Sequence, residues 1–248
     1  MSATEEPRRY TCSTQKNLNA ELLRPQQTED GERPPVGNGD DSIVVGLGTQ
    51  VPRWDVVKQK PRQLEYFIQK SKFPSPRRAQ DAGEAFQKAA DLWNALDLGV
   101  SIVATSDPAR ANFDLTFWEP EDPRDTTLAM AFFPNEKNQT VWIYASALQP
   151  RNFDDLPSIC AHEIGHILGL RHEFAITGDA DKDLSAEGQG ATQFMEPNYN
   201  SVMSYNFPPT IQDTDKRGVK AFYKLKNGAK VGGLPVTDYV PTIKKRNA

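Results

Sequence analysis

The stretch His162–His172, HEIGHILGLRH, constrains this chain more than any other part of it. His162 and His166 are four residues apart. On a helix that leaves them ~40° apart around the axis and one turn apart along it. Both imidazoles then reach one point in space, and Glu163 lies to the side, where it can hold a water bound to a shared metal ion. Gly169 is where such a helix stops, because glycine alone enters the left-handed conformation without steric cost. That turn swings His172 back toward the same point. The chain has 3 histidines in all, and every one lies in this stretch. Three protein ligands leave a fourth position open, the mark of a catalytic rather than a structural metal site.

The stretch resembles HExxHxxGxxH, the signature of the metzincin clan of zinc metalloproteases. Ser201-Val202-Met203-Ser204-Tyr205 resembles the clan's Met-turn, in which a methionine lies beneath the metal. Within the clan the resemblance is divided. His172-Glu173 and the S-x-M-x-Y pattern are similar to astacins, and SVMSY also to serralysins. Leu128–Pro134, with the helix carrying Asp215, Gly218, Val219, Phe222 and Tyr223, is similar to matrixins. The family stays unassigned; the resemblance covers roughly residues 49 to 226.

The resemblance implies an α+β fold of the zincin type: a twisted mixed sheet, a backing helix, an active-site helix and a C-terminal helix. It implies one catalytic Zn2+ on His162, His166 and His172, with Glu163 as general base toward a zinc-activated water, and hydrolysis of internal peptide bonds. Tyr205 would ligate the resting zinc and then hydrogen-bond the transition state, or else simply close the pocket floor. Met130 stands where matrixins have a histidine for a structural zinc, so no second ion is expected there. An extended substrate would add to an exposed strand edge, for which Thr127–Phe133 is the candidate, with specificity from a pocket walled by Asn206–Pro209. Glu173 would contact a buried N-terminus as in astacins, or be an ordinary surface carboxylate. Two other functions remain open: a non-proteolytic zinc domain that binds peptides, and an amidase acting on non-protein amides.

Periodicity supplies the frame. Apolar residues recur at three and four from Arg77 to Leu96, which predicts a helix, and a second is expected from Asp155 to Leu168 and a third from Asp213 to Tyr223. Leu64–Ile68, Val100–Ala104, Phe113–Trp118, Thr127–Phe133 and Thr140–Ala145 read as strands. Residues 1–48, rich in Pro, Gly and acids, read as a disordered leader or a pro-segment. In the second case Cys12 or Asp40 would be the group that blocks zinc, although RRYTCST does not match the matrixin switch motif. Residues 227–248, basic at the end, read as a flexible tail. Asp179, Asp181 and Asp183 alternate like a calcium loop, but an EF-hand needs Gly at its sixth position and Glu at its twelfth. Leu184 and Gly190 stand there, so Ca2+ is not favoured over a solvated acidic loop.

A net charge of −4 argues against a nucleic-acid partner, and no run approaches the ~20 apolar residues of a membrane span. With 2 cysteines, Cys12 and Cys160, there is no disulfide scaffold, and Cys160 should be a buried thiol. The N-terminus lacks a secretory signal, so the protein stays inside the cell, leaves by a non-classical route, or has lost its true start, and localisation stays open; a monomer acting on protein or peptide substrates is expected. The sequon Asn138-Gln139-Thr140 would matter only after secretion.

Overall fold

The computed structural model describes residues 12–14, 42–56, 62–137, 139–195 and 198–245. Asp40 and Asn138 lie outside the described residues. In chain order the elements are β1 (Ser42–Val45), β2 (Val51–Trp54), β3 (Arg62–Ile68), α1 (Pro76–Asn94), β4 (Val100–Ala104), β5 (Phe113–Trp118), β6 (Ala129–Met130) and β7 (Thr140–Tyr144). Then come α2 (Pro150–Phe153), α3 (Leu156–Ile167), β8 (Thr192–Met195), α4 (Asp213–Lys224), β9 (Lys230–Val231) and β10 (Leu234–Tyr239).

The main sheet runs β4-β3-β5-β7-β6. Its first four strands are parallel, and the short edge strand β6 is antiparallel to β7, with Met130 opposite Trp142. The fold is therefore α+β, with the twisted mixed sheet expected of the metzincin type. Helix α1 starts where Ser75 accepts a hydrogen bond from Arg78 N and Pro76 occupies the first turn. Its apolar stripe, including Ala82, Phe86, Ala89 and Trp93, is buried against the sheet and α3. The Trp93 indole donates to Ala161 O at 2.9 Å, fixing the height of α3 against α1.

Strand β6 is shorter than the expected Thr127–Phe133, because side chains capture the flanking amides. Thr127 N donates to Asp125 Oδ1 at 2.8 Å and Phe133 N to Glu136 Oε1 at 2.9 Å. Two terminal expectations need correction. The leader 1–48 is not without structure: Ser42–Val45 pairs antiparallel with β8, burying Ile43, Val44 and Val45, and Cys12 bridges Ala129 in parallel. Nor is the tail 227–248 free, since β10 lies parallel to β2 and antiparallel to β9. The reason is Arg53 on β2, which is fully buried and needs Asp238 of β10, 2.8 Å away.

Candidate metal centre and active site

Helix α3 is held by the capture of its C-terminal carbonyls, which a helix leaves without internal partners. The Trp54 indole donates to Ile167 O at 2.7 Å and the Tyr223 hydroxyl to Leu168 O at 3.1 Å. Gly169 then turns at φ 94°, with Leu170 N donating to Gly165 O at 2.9 Å and Gly169 N to His166 O at 2.9 Å. This is a Schellman stop. Arg171 N next donates to Val44 O at 2.7 Å, so β1 catches the chain just before His172.

The three imidazoles converge as expected: His162, His166 and His172 are buried, and the ring nitrogens Nε2 of His166 and His172 stand 3.2 Å apart. Each ring is fixed from behind. His162 Nδ1 faces Val202 O at 2.8 Å, His166 Nδ1 faces Leu170 O at 2.8 Å and His172 Nδ1 faces Glu187 Oε1 at 2.6 Å. Burial first, then the charge of the neighbouring His172, pushes His162 and His166 well below the usual imidazole range. They are therefore neutral lone-pair donors. Zinc bonds of ~2.0–2.1 Å in a tetrahedron separate ligand nitrogens by roughly 3.3 Å, which the 3.2 Å between His166 and His172 Nε2 matches, and all the donor atoms lie within 4.8 Å of one another.

The Met-turn supports this arrangement. Asp215 on α4, fully buried, accepts from Ser201 Oγ at 2.6 Å, Val202 N at 2.9 Å and Gln212 N at 2.8 Å. The turn so held presents the Val202 carbonyl to His162. Met203 lies beneath α3 at Gly165, where an added Cβ would collide with the methionine sulfur. Tyr205 packs edge-on to His172, ring centroids 4.8 Å apart, and burial drives its phenol pKa well up. Glu173 is not a surface carboxylate: it is buried and accepts from Asn198 N at 2.7 Å.

The leader enters this centre. Cys12 is the fourth member of the ligand cluster, its donor atom and those of the three histidines all lying within 4.8 Å of one another. Its Sγ is 3.6 Å from His166 Nε2 and 3.6 Å from Glu163 Oε2. Thr14 Oγ1 donates to Glu163 Oε2 at 3.0 Å and accepts from Ala131 N at 2.8 Å. The Tyr205 hydroxyl donates to Cys12 O at 3.2 Å. Burial, then the Glu163 carboxylate, pushes the Cys12 thiol well up, and the same two causes raise buried Cys160.

Glu187 and Thr14 had no motif to reveal them; for Gly165 its place within HEIGH was the one available hint. Beside the histidines a cavity of about 410 Å³ is lined by Phe174, Leu184, Ala186, Glu187 and Tyr205 among others. None of Asn206–Pro209 lines it. Asp179 does not stand open in the acidic loop, since it caps a short turn and pairs with Lys182 Nζ at 2.5 Å.

The matrixin peptidase family model matches residues 56–178, from the end of β2 through the third histidine. The chain carries a metzincin-clan metalloprotease domain. Zinc is the metal such a domain uses, and its substrates are peptides. No curated protein matches this chain. Among solved structures, high choriolytic enzyme 1, a hatching-enzyme zinc protease of Oryzias latipes, is similar over 70% of this chain and 95% of its own. That alignment has a TM-score of 0.41 and 12% identity. Among the described residues no helix of this metzincin-type chain is long and apolar enough to cross a membrane.

Proposed function

We propose that this chain is a zinc-dependent metalloendopeptidase in a latent state, its leader lying across the active site. The observation that carries the reading is the cluster of His162, His166, His172 and Cys12 with Glu163 buried beside it. When bound, one zinc supplies Lewis acidity, acidifying a water and polarising the scissile carbonyl. Glu163 takes the proton of that water and returns it to the leaving amine. The substrate backbone adds to β6, the edge where the leader now sits, with Ser13 N donating to Ala129 O at 3.3 Å. Once the leader leaves, the Tyr205 hydroxyl is free of the Cys12 carbonyl and available to the developing oxyanion.

Expected outcomes follow from these roles. In the unblocked Cys12→Ser background, Glu163→Ala keeps stoichiometric zinc and loses roughly 10²–10⁴-fold of casein hydrolysis, the usual contribution of a general base. An active variant removes Glu163 from the chemistry. Cys12→Ser, in the full chain, releases chelator-sensitive caseinolysis that the parent lacks; equal activity of the two rejects latency.

Four protein ligands, here one cysteine with three histidines, would close the tetrahedron as a structural zinc site does, which gives the second reading, a non-proteolytic peptide-binding domain. A Cys12→Ser chain that binds zinc but cleaves neither casein nor short peptides would favour it.

A further inference from the structure

Two of the three histidines rest their Nδ1 on main-chain carbonyls, but His172 faces a carboxylate, Glu187 Oε1, at the shorter distance of 2.6 Å. A hydrogen bond to a charged acceptor is shorter and about twice as strong as one to a neutral acceptor. The carboxylate is itself anchored: Glu187 Oε2 lies 3.2 Å from Arg171 Nη2, and Arg171 is wholly buried. Arg171 Nη1 in turn donates to Gly46 O at 2.9 Å. Arg171 and His172 are adjacent in sequence and point their polar ends to the two oxygens of one carboxylate.

We propose that Glu187 is a positioning residue of the metal centre, holding the proton of His172 on Nδ1 so that Nε2 faces the ion. Its charge makes His172 a stronger donor than the two carbonyl-backed rings, and the Arg171 anchor keeps the ring from swinging. Such partners behind a ligating histidine commonly carry roughly 10–100-fold in metal affinity. The inference rests on the metalloprotease reading only in requiring an ion at the three histidines.

The test uses the full chain loaded with zinc or with cobalt, as the parent, Glu187→Gln and Glu187→Ala. Glu187→Ala should release zinc to a chelator about 10–100-fold faster and alter the visible spectrum of the cobalt form. Glu187→Gln keeps an acceptor toward Nδ1 without the charge and should fall between; being isosteric, it also serves if the alanine variant does not fold. A merely structural role would lower the melting temperature of the metal-free chain and leave both readouts at parental values, and that result overturns the proposal. A parent that takes up neither metal defeats the metalloprotease reading itself, which is a different outcome from variants that match a metal-binding parent.

Discussion

Glu136 sits just beyond the edge strand, where its carboxylate accepts from Phe133 N at 2.9 Å and burial pushes its pKa up to about 7. Its folded pKa is raised above the ordinary value of 4.5, so the stability it contributes is fully present below pH 4.5 and is lost as pH rises to about 7. Glu136→Gln keeps the acceptor and removes the charge. It should raise the melting temperature at about pH 8 relative to the parent and change it little at about pH 5, by thermal unfolding at both values. A gain of equal size at both pH values would mean the burial cost is not electrostatic. At the same scale, the clustering of the three histidines was legible because metal chemistry demands fixed types at fixed spacing. Glu187 was not, because a residue that supports a ligand from a loop needs only to arrive, and no spacing rule says from where.

At the scale of elements, the turn after α3 decides whether His172 reaches the other two. Gly169 combines φ 94° with a close approach, since a Cβ there would lie 2.5 Å from Pro52 O on β2. Gly169→Ala therefore carries the left-handed penalty of ~1–2 kcal/mol and a clash with backbone that cannot yield. Gly228→Ala provides the comparison, with φ 83° and nothing among the described residues within 4 Å of its Cβ. Both should lower the unfolding midpoint, but only Gly169→Ala should also lose zinc from the folded chain. Retained zinc there would show that the turn is not what delivers His172. Helices α1, α3 and α4 were legible in the sequence, α1 through its periodicity, and the helix stop in one glycine. The pairing of Cys12 with Ala129, far apart in sequence and beyond any local pattern, was not. A short segment laid on a two-residue edge strand has no period to detect, so Cys12 could be named as a zinc-blocking candidate but not the strand it lies on.

The whole molecule is closed where β2 meets β10. Arg53 on β2, fully buried, donates through Nη1 to Phe222 O at 2.6 Å and through Nη2 to Leu225 O at 3.0 Å, and meets Asp238 on β10. It also lies over the Phe222 and Tyr223 rings, 5.6 Å from each centroid. One guanidinium thus joins β2, the end of α4 and β10. Tyr223 is the residue that caps Leu168 at the end of the histidine helix. The basic, Gly-rich character of the terminal segment hid this, although Gly232-Gly233 between Lys230–Val231 and Leu234–Tyr239 is a hairpin signal. Removing one partner of a buried ion pair costs about 3–5 kcal/mol, because the other charge stays behind without compensation. Against the ~5–15 kcal/mol of a typical domain that is a large share. Asp238→Ala should therefore lower the denaturant midpoint substantially with little change in slope, and Asp238→Asn less, since it keeps an acceptor for Nε. Because Arg53 and Tyr223 lie on the path from β10 to α3, Asp238→Ala should also weaken zinc retention as the chain approaches its transition. A parental midpoint in Asp238→Ala would mean that the carbonyls of Phe222 and Leu225 satisfy Arg53 alone, and that β10 lies on the fold without holding it.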